Sequence, residues 1–268
     1  MSGKIVGVIA IKGGVGKTTT VSNLGAVLAK EFGKKVLLVD ANYTAPNLGL
    51  HLGIVKPEVT LHDVMRDKVP VSRAIHEHEL GFHIIPSALA GRKVNAFKLK
   101  EKISRLKELY DIILIDSSPA LNEEILSTMI ASDELFVVSS PDYPTLSCTM
   151  HAVRIAKRKR TPITGIILNK SRNKKFELNV DEIEEATGVP VLATLPDDVK
   201  VLEALSEMKP ASIRSPKRDV SVEYKKLAAS LIGEKYIDKR LKARIKRFIF
   251  VEEPDKLDIN RLLGPKDK

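Results

Sequence analysis

The sequence is poor in the residues that build many specialised sites. Cys148 is the only cysteine among 268 residues, which excludes a disulfide within one chain and any cysteine-built zinc or iron–sulfur centre there. Tryptophan is absent and the aromatics are 7 Phe and 5 Tyr, too few for a base-stacking platform that would hold single-stranded nucleic acid. No apolar run approaches the roughly 20 residues that cross a bilayer. The first apolar run stops at Lys12, short of a secretory signal. A cytoplasmic location is therefore expected, with peripheral attachment to the inner face of the cell membrane as its one variation. Acids are in deficit: 44 Lys and Arg against 34 Asp and Glu leave a net charge of +10. That balance predicts attraction to polyanions, whether nucleotide, nucleic acid or anionic lipid, without choosing among them.

What is present points to an α/β domain. Hydrophobic residues make up 43% of the chain, enough for a sizeable core. Short β-branched runs fall at 5–11, 36–40, 82–86, 112–116, 135–139, 163–168 and 191–195. Helical patterns lie between or after them at 20–32, 61–66, 96–109, 123–131, 145–158, 180–187, 199–207 and 220–231. Near-continuous apolar strands alternating with helices predict a doubly wound, mostly parallel sheet with helices on both faces. Ligands of such sheets bind at the carboxyl ends of the strands. The stretch 209–218 is expected to be a surface loop. His76 and His78, alternating with Glu77 and Glu79, and the basic run 157–160 are expected to be solvated.

The segment Lys12-Gly13-Gly14-Val15-Gly16-Lys17-Thr18-Thr19 follows the first apolar run and opens a helix. A glycine-rich loop in that position lets successive backbone N–H groups curl around phosphate oxygens, and the helix N-terminus adds a favourable dipole. Residues 13–19 are therefore candidate nucleotide-binding residues. Lys17 has the reach for β- and γ-phosphate oxygens, and the Thr18 hydroxyl is placed for Mg²⁺. Asp116 ends the apolar strand 112–116, where a carboxylate serves the same metal. Asp40 likewise ends the strand 36–40.

The loop departs from the general phosphate-binding pattern: Ile11 holds the first glycine position, and an extra lysine, Lys12, precedes the glycine pair. In this it resembles the deviant Walker A loop of the ParA/MinD ATPases. Ser117-Ser118-Pro119 after Asp116 is similar to that family's second switch, and Asn47-Leu48-Gly49-Leu50 to the first switch of its MinD-like branch. Asp40 resembles the first aspartate that the ParA/MinD ATPases carry after this strand, which implies a place in the metal's outer shell or in the first switch. The resemblance extends over about residues 3 to 234. It implies a P-loop NTPase fold, ATP and Mg²⁺ as cofactors, a homodimer formed on ATP, and Lys12 acting across the dimer on the partner's phosphates. It also implies that Asn169 and the segment from Pro196 and Asp197 read adenine. Arg172 stands where guanine-selective relatives carry a carboxylate, so ATP is expected over GTP. Asn42 occupies the position at which relatives place an aspartate that positions the attacking water. An amide has no basic carboxylate, so water would be oriented but not deprotonated, and slow hydrolysis is expected.

The division expected is an ATPase domain over 1–234 and a basic C-terminal tail over 235–268. From Lys239 to Val251 the tail carries no acid, and Leu241, Ile245, Phe248 and Ile249 share one helical face. That composition suits an anionic membrane surface. A contact with DNA, with a partner protein or with the chain's own domain is the competing expectation. Three functions follow. The first is a MinD-like positioning switch with ATP-controlled surface attachment and an activating protein partner. The second is a ParA-like ATPase that binds DNA without sequence preference, and the third an adaptor whose slow hydrolysis gates a partner protein.

Overall fold

The computed structural model describes residues 3–238 and 240. The tail positions Leu241, Ile245, Phe248 and Ile249, and all of 239–251 except Arg240, lie outside the described residues.

The strands are β1 (Lys4–Ile9), β2 (Val36–Ala41), β3 (His76–Glu77), β4 (His83–Ile85), β5 (Ile112–Ser117), β6 (Glu134–Ser139), β7 (Ile163–Ser171) and β8 (Val191–Pro196). The helices are α1 (Lys17–Lys30), α2 (Leu48–His51), α3 (Leu61–Met65), α4 (Leu99–Ile103), α5 (Glu123–Ala131), α6 (Tyr143–Lys159), α7 (Val180–Thr187), α8 (Val199–Ser206), α9 (Ala211–Arg214) and α10 (Asp219–Leu231). The strands form one sheet in the order β3-β4-β2-β5-β1-β6-β7-β8. Every pairing is parallel except the short β3–β4 edge.

Side-chain alternation divides the strands between two buried faces. Val6, Val8, Leu38, Leu114 and Phe136 pack with Leu24, Val27 and Leu28 of α1 and with Tyr224 and Leu227 of α10. On the opposite face Ile5, Leu37, Val39, Ile113 and Ile115 meet Leu61, Met65, Leu99 and Ile103. Further along that sheet Ile9, Leu135, Val137 and Ile166 meet α5, α6 and α7. Strands covered on both faces must be apolar throughout, which is why these runs show little polar interleaving. Close packing also fixes glycines: a Cβ on Gly165 would lie 2.3 Å from the Leu192 side chain.

The doubly wound, mostly parallel architecture expected from the sequence is the one observed. Three stretches differ. The helix expected over 96–109 is instead a 3₁₀ turn at Ala96–Lys98, α4, and a second 3₁₀ turn at Ser104–Glu108. Ala96, Leu99, Ile103 and Leu106 stay buried throughout; spacings of three and four residues suit both helix types, so the apolar pattern could not separate them. The surface loop expected over 209–218 contains α9, and the histidine-rich stretch contributes β3 to the sheet edge.

Candidate functional site

Strand order reverses at β1, because the chain reaches β2 on one side and β6 on the other. The crevice at the carboxyl ends of the strands on either side of such a point is where open α/β sheets bind ligands. Loop 10–16, Asp40, Asp116, Asn169 and Pro196 all sit at those strand ends. The sequence-predicted residues therefore converge on one edge of the sheet.

The loop after β1 turns through Gly14 (φ 75°) and Gly16 (φ 100°), left-handed conformations that favour glycine. Neighbouring segments hold it in place. Asn169 donates its amide to the Val15 carbonyl at 2.7 Å, and the Lys170 ammonium donates to the Gly14 carbonyl at 2.8 Å. A Cβ on Gly16 would lie 2.2 Å from the Asn169 amide nitrogen, so the loop and β7 are closed on each other. On the other side the Ala120 N–H donates to the Ile11 carbonyl at 2.8 Å, with Ala120 itself at φ 76°. A left-handed alanine costs about 1 kcal/mol or more and persists only where its surroundings demand it.

Lys17 and Thr18 begin α1. Lys17 is buried; desolvation lowers its pKa, against the pull of Asp116. The Thr18 hydroxyl donates to Asp116 Oδ2 at 2.6 Å. The other oxygen, Oδ1, is buried with no partner. Burial pushes the Asp116 carboxyl up to about 6, although the Thr18 hydrogen bond and the Lys17 charge oppose it. A hydroxyl beside a carboxylate with an unsatisfied oxygen is a donor set of the kind Mg²⁺ takes, so these residues fit that metal. Among the described residues no cluster of three His, Cys, Asp or Glu side chains suggests a second metal centre.

Asp40 lies level with Asp116 across the β2–β5 pairing and is fully buried. Burial and then the Asp116 charge raise its pKa well above the ordinary carboxylate range, against the N–H groups of Leu48, Asn42 and Asn47. Its oxygens accept from Asn42 N at 3.2 Å and Leu48 N at 3.0 Å. Asp40 thus anchors the segment 42–48 from below. Asn42 is buried within that segment. Its amide nitrogen donates to the Ala45 carbonyl at 2.5 Å and its amide oxygen accepts from Ala45 N at 3.1 Å. In this arrangement the Asn42 side chain closes its own turn. The same segment is tied to α5 through Thr44, whose hydroxyl donates to Glu124 at 2.5 Å.

Lys12 turns to the start of α6, whereas Lys17 faces the charge of Asp116. The Lys12 ammonium donates to Thr145 Oγ1 at 2.7 Å and meets Asp142 Oδ1 at 3.2 Å. Asp142 is the N-cap of α6 and accepts from Thr145 N. Burial works to raise the Asp142 pKa, but hydrogen bonds from Ser140, Thr145 and Lys12 bring it down to about 2. At the far side of the crevice Asp197 N donates to the Ser171 carbonyl at 2.8 Å, and Arg172 Nε donates to Asp197 Oδ2 at 2.8 Å. Pro196 and Asp197 therefore lie beside the 169–172 segment.

Four participants escaped the sequence reading: Lys170, Ala120, Glu124 and Asp142. Only Lys170 carried a usable signal, its position next to Asn169. The others act through backbone groups or across more than 70 residues of sequence, where no local pattern marks them.

A phosphate loop at a strand–helix junction, a buried lysine and a paired threonine and aspartate define a P-loop nucleotide-binding protein. The AAA domain model matches residues 3–161. The chain is 36% identical over 241 residues to an uncharacterized ATP-binding protein of Methanocaldococcus jannaschii, covering 89% of this chain and 90% of that one. It is 33% identical to the chromosome partitioning protein ParA of Caulobacter vibrioides, covering 91% and 100%. The solved septum site-determining protein MinD of Pyrococcus horikoshii, complexed with Mg-ADP, superposes with a TM-score of 0.81 at 33% identity, covering 85% of this chain and 95% of that one. The chain belongs to the AAA-domain family of P-loop proteins that includes MinD and ParA.

Proposed function

We propose that this protein is a Mg²⁺-dependent ATPase that switches between a monomer and an ATP-bound dimer. The observation that carries the reading is the Thr18–Asp116 pair at 2.6 Å beside buried Lys17, at the mouth of a loop in which two of the three glycines are left-handed. The N–H groups of 13–19 would bind phosphate oxygens, and Lys17 would offset the charge that develops on the γ-phosphate. Thr18 and Asp116 would hold Mg²⁺, which when bound neutralises phosphate charge, with Asp40 supporting the segment above it. Asn169 and Lys170 fix the loop by holding its carbonyls, and Asn169, Pro196 and Asp197 would read adenine. Lys12 would act on the partner's phosphates after leaving Asp142. Asn42 would orient the attacking water, and its closure on Ala45 supports slow turnover.

The residues from 1 to 234 would form the ATPase domain and 235–268 a basic tail. We read the output as spatial positioning, with the tail attaching the ATP dimer to an anionic membrane surface from the cytoplasm and an activating protein resetting it. Two weak anchors in one dimer bind much better than one through effective concentration. Among the described residues no helix is long and apolar enough to cross a membrane. The ParA-like reading, with DNA as the surface, draws on the net charge of +10 and the 33% identity to a partitioning protein. Phosphate release from ATP by the full chain, with and without Mg²⁺, tests the proposal. Metal-dependent turnover lost in Lys17→Ala is expected; turnover that survives that change would sink it.

A further inference from the structure

Helix α8 presents an apolar stripe to solvent. Val199 is 62% exposed, Leu202 65%, Leu205 38% and Met208 45%. These residues recur every third position along the helix and the turn after it, while Ala204 faces the core. Four large apolar side chains on one helix and the turn after it, winding gradually around its exposed side, are more than the scattered exposure normal for a soluble surface.

The course of the chain brings its last described residues to this helix. After α10 it turns at Gly233 (φ 73°), with Glu234 N donating to the Ala229 carbonyl at 2.8 Å. It then runs back along α10. Asp238 feels the charge of Lys226, and Arg240 reaches Asp219 at 2.6 Å and the Lys217 carbonyl at 3.0 Å. Arg218, in the same corner, donates to Asp198 at 2.8 Å, and Asp198 is the N-cap of α8. Arg240, the last described residue, therefore lies in the corner that holds the first turn of α8, and 28 residues follow it in the sequence. The first nine carry Leu241, Ile245, Phe248 and Ile249 at the spacing of one helical face. At 1.5 Å per residue that face and the α8 stripe are each about 12 Å long.

We infer, independently of the nucleotide reading, that the α8 stripe is a seat for the chain's own segment 241–249. Size selects this occupant. Four side chains supply a few hundred Å² at most, well below the roughly 800 Å² per partner of a stable association. A tethered segment needs far less, because its effective concentration is high. Charge does not decide the matter: Glu203 and Glu207 beside the stripe already meet Lys200 and Arg214. The seat gives the tail's apolar face a cover whenever no membrane supplies one.

Cysteine trapping in the full chain tests the seat. In a Cys148→Ser background, Leu202→Cys is combined in turn with Ile245→Cys, Phe248→Cys and Ile249→Cys. An intrachain disulfide in at least one pair is expected. Interchain disulfides alone would assign the stripe to a second copy, and none at all would show that the tail does not visit α8; either overturns the inference. A second measurement avoids dependence on register. The double change Leu202→Asp with Leu205→Asp, at exposed positions that leave the core intact, should speed tryptic cutting between Lys242 and Arg247 by about fivefold or more, since cutting follows the undocked population. Equal rates in wild type and variant would overturn it as well.

Discussion

Two lysines five residues apart in one loop are treated in opposite ways. Lys17 is buried, and the one charge that acts on it strongly is that of Asp116. Lys12 is 41% exposed in its side chain and leans on Asp142 and Thr145 at the start of α6. An ion pair that exposed is worth about 1 kcal/mol or less, so it releases Lys12 at little cost. A buried lysine has no comparable freedom. The comparison teaches that one loop can hold a fixed binding group and a group free to change partners, and that burial separates them.

Breaking the fixed lysine should have the largest effect. Lys17→Ala is expected to lower ATP turnover by about 100-fold or more, in keeping with loss of a preorganised charge at a transferred phosphoryl group, and to weaken ATP binding in equilibrium titration. Lys12→Ala sharpens the contrast: turnover should fall by about tenfold or more while ATP affinity of the isolated chain stays within about threefold. Equal loss of affinity in both variants would erase the distinction between the lysines.

Asn42→Asp should act in the opposite direction. Aspartate cannot donate to the Ala45 carbonyl as Asn42 does, so the side chain would leave its turn and bring a carboxylate toward the site. Single-turnover hydrolysis is expected to rise by about tenfold, at the lower end of what a general base contributes; an unchanged rate would show that the carboxylate is dispensable here.

The smallest effect falls on the partner of Lys12. Asp142 caps α6, and its replacement by Asn, which keeps an accepting oxygen, should cost about 1 kcal/mol or less. The sign with pH follows from a folded pKa of about 2 against about 3.9 for an unfolded aspartate. The charged form is favoured in the fold, so its contribution is present above about pH 4 and fades as pH falls toward 2. Urea melts should show wild type ahead of Asp142→Asn at pH 7, with the gap closing in acid.

The phosphate loop, Asp116 and the alternation of strands and helices were legible because each is local. Apolar strands covered on both faces leave an unbroken signature, and a glycine-rich loop needs its residues consecutive. The roles of Asn169 and Asn42 were less legible. Asn169 serves the loop through the Val15 carbonyl, 154 residues away, and sequence offers no sign of which backbone group an amide will meet. Asn42 was legible as a missing carboxylate, but its closure on Ala45 depends on turn geometry. Thr44 and Glu124 meet across 80 residues, a contact made by the β2–β5 pairing and the turn into α5.

The central claim is that ATP joins two chains and Lys12 serves the joint. Molar mass by light scattering, on the full chain with Mg-ATP and with Mg-ADP, tests it most directly, with Lys12→Ala as the companion. Twice the mass of one chain with ATP, a single chain with ADP, and a single chain throughout for Lys12→Ala are predicted. A mass that ignores the nucleotide, or a variant that dimerises as wild type does, would contradict the account.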